Sequence, residues 1–144
     1  MDRDRRPEEE MMLEITARYF GYEEDDDDEV VEAALSESLD GTGFVLSMQR
    51  TTYEPDDQDV SMGMDTYCLV SGGKSHYGGV LRARREGNLI HLVISPAASS
   101  LLGLPEEIRA SLAGSPLAIS EFFSGLPGIL QWGRREDRAE LIGF

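Results

Sequence analysis

One cysteine, two histidines and a run of seven adjacent carboxylates are the residues of this 144-residue chain best suited to chemistry. Cys68, with His76 or His91 as base and Asp65 as orienter, would make the thiolate nucleophile of a small hydrolase, since a thiol becomes a strong nucleophile once a base has taken its proton. The spacing does not favour this reading. Cys68 sits inside the apolar stretch "TYCLVS", where a free cysteine usually acts as a small buried hydrophobe. Zinc takes three or four ligands, and one cysteine with two histidines in no recognised spacing is a weak signal for it. The acidic run "EEDDDDE", Glu23 to Glu29, offers the oxygen donors that calcium and magnesium prefer but lacks the alternating D-x-D-x-D-G loop that wraps a cation. The sequence has no G-x-S-x-G elbow, no H-E-x-x-H pair and no G-x-x-x-x-G-K phosphate cradle. An enzyme is disfavoured on these grounds, and no metal or cofactor is implied.

The elements around these residues read mostly as strands. In "MMLEITARYF" the residues Leu13, Ile15, Ala17 and Tyr19 alternate with Glu14, Thr16 and Arg18, the period of a strand with one wet face. Val30 to Ser38 is ambiguous: Val31, Ala34 and Leu35 fit a helix, while the double valine and the following "LDGTG" fit a strand entering a hairpin. In "FVLSMQR" Phe44, Leu46 and Met48 alternate with Ser47 and Gln49, so Asp40-Gly41 is expected to turn two antiparallel strands. An acidic loop, "YEPDDQD", follows. Then "TYCLVS", "HYGGVLRARR" and "NLIHLVIS" form a meander joined by Gly72-Gly73 and Glu86-Gly87-Asn88. Ile90, Leu92 and Ile94 mark its core face, and Arg82, Arg84 and Arg85 its wet one. Pro96 opens a short helix that Gly103 ends. Leu117, Phe122, Phe123, Leu126, Ile129 and Leu130 have helical spacing, with Pro127 expected to break or kink the helix.

The expected fold is therefore mainly β, of α+β character: an antiparallel sheet of about six strands with one or two short C-terminal helices. Its length suits one domain over residues 1–144, with residues 1–10 and 134–144 as mobile tails and 23–29 as an acidic loop. No apolar run approaches the roughly 18 residues of a spanning helix. "MDRDRRPEEE" lacks the apolar core of a secretory signal, and a lone cysteine forms no internal disulfide, so the cytoplasm is the expected compartment.

The stretch "GMDTYCLVSGGKSHYGGV" concentrates tyrosines and glycine pairs. With a two-residue Gly72-Gly73 turn, Tyr67 lies opposite Gly78 and Cys68 opposite Tyr77; a four-residue loop puts Cys68 opposite Gly79. The first register lets a tyrosine ring cover a strand glycine, so the motif reads as packing or a bulge, with partner binding by the hairpin as the other reading.

"GMDTYCLV" followed by "HYGGV", then "NLIHLVIS" leading into "LLGLPEEIRASL", together with "SMQR" at Ser47 to Arg50, resembles the immunity protein 10 family of bacterial polymorphic toxin systems, from about residue 13 to 130. The resemblance implies a largely β protein that is not an enzyme, is encoded beside a toxin and neutralises it by binding. It favours a strand at Val30 to Ser38. The family-like residues are Gly63, Met64, Asp65, Thr66, Tyr67, Tyr77, Gly78 and Gly79, taken as structural. The resemblance assigns no role to the acidic run or the charged tail, which stay open.

Charge supplies a mechanism for such binding. Residues 1–60 hold 20 of the 28 acidic and 5 of the 13 basic residues, so the whole net charge of −15 sits there and the remainder is neutral. Nucleic acid and anionic membranes are repelled by such a surface, and a basic protein is attracted. Toxins of these systems are often nucleases with basic substrate-binding surfaces, which an acidic inhibitor can engage by imitating phosphate and by steering encounter. The candidate partner-binding residues are Glu23, Glu24, Asp25, Asp26, Asp27, Asp28, Glu29, Asp56, Asp57 and Asp59. The alternatives are a small acidic secretion chaperone or adaptor, and a small hydrolase using Asp65, Cys68 and His76.

Overall fold

The computed structural model describes residues 12–144; the tail expected at 1–10 lies outside the described residues. Ten strands run in chain order as β1 (Met12–Ala17), β2 (Tyr19–Asp25), β3 (Val30–Ser36), β4 (Val45–Thr51), β5 (Cys68–Ser71), β6 (Lys74–Tyr77), β7 (Val80–Glu86), β8 (Leu89–Ile94), β9 (Glu107–Leu112) and β10 (Glu140–Ile142). Helix α1 (Asp57–Ser61) follows β4, α2 (Pro96–Leu102) follows β8 and α3 (Pro116–Leu130) follows β9. Among the described residues strands make up 44% and helices 23%, so the class is mainly β with α+β character. The strands form two sheets of five, not one sheet of about six: β1-β9-β8-β7-β10 and β2-β3-β4-β5-β6. Two pairs, β1 with β9 and β10 with β7, are parallel.

Two bends join the sheets. At Arg18 the chain passes from β1 in the first sheet to β2 in the second, and at Gly78-Gly79 it passes from β6 back to β7. Hydrogen-bonded neighbours therefore run in a circuit from β1/β2 through β3, β4, β5, β6/β7, β8 and β9 back to β1. The period-2 side chains pointing into this circuit supply the core. Val31, Ala33, Leu35, Leu46, Met48 and Leu69 come from the second sheet, and Ala83, Ile90, Leu92, Ile94, Ile108, Ala110 and Leu112 from the first. Helix α3 packs against β2, β3 and β4 through Phe122, Phe123, Leu126, Ile129 and Leu130. The Phe122 ring meets Phe20 edge-on at 6.0 Å.

Val30 to Ser36 is a strand, as the family resemblance favoured. Other local expectations differ from the structure. The connection from β3 to β4 spans residues 37–44 rather than a two-residue turn, and Asp40 organises it by accepting from the Thr42 amide at 3.0 Å and the Ser38 hydroxyl at 2.8 Å. The acidic "YEPDDQD" stretch contains the start of α1, where Asp56 and Asp59 form a reciprocal capping box. Helix α3 runs through Pro127 to Leu130; its buried apolar face outweighs the lost hydrogen bond of a proline interior. "EIRASL", unassigned from the sequence, is β9, flanked on both sides in its sheet. Residues 134–144, read as a polar tail, hold a 3₁₀ turn at Arg135–Asp137 and then β10.

Candidate functional site

The residues suited to nucleophilic or metal chemistry are dispersed. Cys68 and His76 project from opposite faces of the β5–β6 hairpin, because Cys68 pairs with Tyr77 and His76 with Leu69 in its register. Asp65 instead faces Arg134, with Nε at 3.1 Å from its Oδ1. His91 lies in the other sheet, 3.3 Å from Glu107 Oε1. The hydrolase arrangement of Asp65, Cys68 and His76 is thus not assembled. Burial pushes the Cys68 thiol up from its ordinary pKa, the reverse of what a thiolate nucleophile requires. Cys68 is therefore expected to react with iodoacetamide several-fold more slowly in the folded protein than in urea at the same pH, and equal rates would contradict the burial. Among the described residues, no group of three or more histidine, cysteine or acidic side chains could hold a metal ion.

The family-like motif surrounds the bend between the sheets. Gly72-Gly73 is a two-residue turn, Ser71 pairs with Lys74, and the Gly78 amide donates to the Tyr67 carbonyl at 2.7 Å. This is the register that sets Tyr67 opposite Gly78 and Cys68 opposite Tyr77, and the Tyr67 ring is fully buried in the core. Its hydroxyl accepts from the Val80 amide at 2.9 Å and donates to the Asp137 carbonyl at 2.8 Å. The glycines are needed for other neighbours. Gly78 has φ 72°, and a Cβ there would lie 2.9 Å from the Asp137 carboxyl carbon; Gly79 has φ 107°, and its Cβ would lie 2.8 Å from Ala98 on α2. The preceding part of the motif binds the strap after α3: Thr66 bridges Gly133, the Arg134 amide donates to Asp65 carbonyl at 3.0 Å, and the Arg134 guanidinium reaches the Gly63 carbonyl at 3.2 Å. Met64 and Tyr77 do neither; both face a groove on the outside of the second sheet.

That outer face collects many of the acidic candidates. Glu23 to Asp25 are strand residues at the end of β2, and only Asp26 to Glu29 form the turn, with Asp25 Oδ1 accepting from the amides of Asp27 at 3.0 Å and Asp28 at 3.1 Å. All seven acids are exposed. The strand period places Glu23 and Asp25 on the outer face, beside Val30 and Glu32 of β3 and Gln49 of β4, and these line a groove of about 280 Å³ together with Asp28. Val30 and Gln49 also line the adjoining groove of about 260 Å³, whose other walls include Tyr53, Asp59, Met64, Cys68, Tyr77 and Arg50, whose guanidinium donates to the Thr51 carbonyl at 3.0 Å. Asp59 is thereby brought to the same face as the acidic hairpin. Glu24 is not: its carboxylate accepts from the Tyr22 hydroxyl at 3.2 Å. Asp56 caps α1, and Asp57 lies in its first turn.

The sequence reading passed over Glu32, a single acid in an apolar run. Its place in the period with Val30 and Ala34 was the available signal. Glu32 stands directly opposite Glu23, a like-charge pair that destabilises a sheet, and it accepts from Ser47 Oγ at 2.6 Å and Gln49 Nε2 at 2.8 Å. Among the described residues, no basic side chain forms an ion pair with any acid between positions 23 and 59.

The family model for immunity protein 10 matches residues 16–120, well over half of the chain. The protein belongs to the immunity protein 10 family. An immunity, or antitoxin, role in general follows from that membership, as does a cognate toxin for partner. The matched residues include the acidic hairpin, strands β2 to β6 that line the two grooves and the whole "GMDTY" to "YGG" motif, while Gly133, Arg134 and Asp137, which that motif holds, lie beyond it. No curated protein and no solved structure matches the chain. No helix among the described residues is long and apolar enough to cross a membrane.

Proposed function

We propose that this immunity protein acts in the cytoplasm by binding its cognate toxin directly, occluding the toxin's active site or an adjacent surface, with no reaction and no cofactor of its own. Membership of the immunity protein 10 family is the observation that carries this reading. The acidic surface supports a toxin with a basic working face, such as a nuclease, because a nuclease must present positive charge to phosphate and an inhibitor can exploit that same field. The dispersal of Cys68, His76 and Asp65 supports inhibition by occlusion over chemistry on the toxin.

The test is expression of the toxin domain encoded by the neighbouring reading frame, with and without this protein. Growth is expected to be restored by co-expression, and the purified pair to co-elute as a complex. Continued toxicity together with separate elution would refute the reading.

A further inference from the structure

We infer that the toxin docks on the outer face of the second sheet, seating an apolar prominence against Tyr53 and Tyr77 while its lysine or arginine side chains meet Glu23, Asp25, Glu32 and Asp59. The inference rests on the immunity reading and adds to it the face and the chemistry of the partner.

Three features single out this face. The first is apolar surface that serves no core. Tyr53 and Tyr77 are 47% and 37% exposed where they line the groove. Beside them α1, whose Asp59 lines the same groove, contains no buried residue at all, and Met62, just after it, is 62% exposed. A one-turn helix whose apolar side chains stay in water contributes little to folding, and exposed aromatic and methionine side chains rimmed by charge have the composition of an interface centre.

The second feature is unbalanced charge. Glu23 faces Glu32 across the β2–β3 pair, and the acids around both grooves have no ion-pair partner among the described residues. A basic partner would neutralise a repulsion that the described residues leave in place. The third is the contrast with the first sheet, whose outer arginines already face carboxylates: Arg82 with Glu140 at 3.8 Å, Arg84 with Glu86 at 3.3 Å and Arg109 with Glu14 at 3.9 Å. Charge complementarity therefore favours the second sheet and a cationic occupant. The two parts have different roles: the apolar centre holds the complex together, and the carboxylates choose the partner and set the encounter rate.

The experiment uses the purified toxin domain from the neighbouring reading frame as probe and measures Kd and both rate constants. The ligands are the parent protein, the double variant Tyr53→Ser/Tyr77→Ser, the single variant Met62→Asp, and a control on the other sheet, Arg82→Glu/Arg109→Glu. The double variant is expected to bind about 100-fold more weakly, mostly through faster dissociation, and Met62→Asp about 10-fold more weakly, with the control within about 3-fold of the parent. Unchanged circular dichroism and melting of each variant would show that folding is not the cause, and Met62→Asp keeps the test open if the double variant unfolds. Parent-like binding by both Tyr53→Ser/Tyr77→Ser and Met62→Asp would place the toxin elsewhere and overturn the inference while leaving the immunity reading intact. A parent protein that does not bind the toxin would overturn both. A parent that sediments as a dimer, and a double variant that sediments as a monomer, would assign the face to a second copy of this chain and likewise overturn it.

Discussion

Tyr67→Ala is expected to lower the free energy of unfolding by about 3–5 kcal/mol, whereas Tyr77→Ala should change it by about 1 kcal/mol or less. The two residues stand ten positions apart in one motif, yet the strand period sends them to opposite faces, since Tyr77 pairs with Cys68, the residue next to Tyr67. The Tyr67 ring is fully buried at the junction of the sheets, and its removal leaves a large cavity there. Its hydroxyl also ties the Val80 amide to the Asp137 carbonyl. Tyr67→Phe keeps the ring but strands both groups, which costs about 1–3 kcal/mol. Burial pushes the Tyr67 pKa from 10.0 up to about 12. The folded state thus holds this proton more tightly than the unfolded state, and the associated stability is full below pH 10 and lost as pH rises from 10 towards 12. Urea unfolding at neutral pH and across that alkaline window checks all three variants. The parent should lose more stability above pH 10 than Tyr67→Phe does. Equal losses in Tyr67→Ala and Tyr77→Ala would contradict the opposed burial of the two rings.

Local periodicity carried most of what was legible in the sequence. Ile90, Leu92 and Ile94, or Phe44, Leu46 and Met48, identify their strands without knowledge of any neighbour, and all six are buried. "EIRASL" has the same alternation, with Ile108, Ala110 and Leu112 buried, but it lies between two helical segments and after Pro105, so local context masked it. Strand β9 matters most to topology, because its parallel pairing with β1 joins chain segments nearly one hundred residues apart. Nothing local encodes such a pairing. At Pro127 the helix is not broken, because tertiary packing of Phe122, Phe123, Leu126, Ile129 and Leu130 outweighs the hydrogen bond a proline removes. At the candidate site the acids were visible as composition, and their convergence was not. Reading Glu23 to Asp25 as loop hid their side-chain period, and with it the row that sets Glu23 beside Glu32 and Gln49. Tyr67 and Tyr77 looked equivalent for the same reason, since the motif spans a bend whose glycines answer to Asp137 and Ala98, far away in the chain.

Replacing Asp25, Asp26, Asp27 and Asp28 with asparagine is expected to slow association with a basic toxin about tenfold or more at low ionic strength, and to change dissociation by about twofold at most. The fold should tolerate the change. None of the four is buried, and asparagine at position 25 retains a side-chain oxygen to accept from the amides of residues 27 and 28, the contacts that shape the turn. Stability should stay within about 0.5 kcal/mol of the parent, or rise slightly as repulsion among adjacent carboxylates falls. The kinetic effect follows from range. At about 0.01 M ionic strength the screening length is roughly 30 Å, so the hairpin acts on an approaching toxin well before contact, whereas at about 0.15 M it is roughly 8 Å and the parent loses most of that advantage. The variant's association rate should therefore depend less steeply on salt, and the two proteins should converge near physiological ionic strength. Dissociation starts from a formed contact whose centre is apolar, at Tyr53 and Tyr77, and rim charges bear on it less. Stopped-flow rates for parent and variant at both salt concentrations separate the possibilities. Identical association rates at low salt would show that the acidic hairpin does no steering, and a matching rise in dissociation would move these carboxylates from the rim of the interface to its centre.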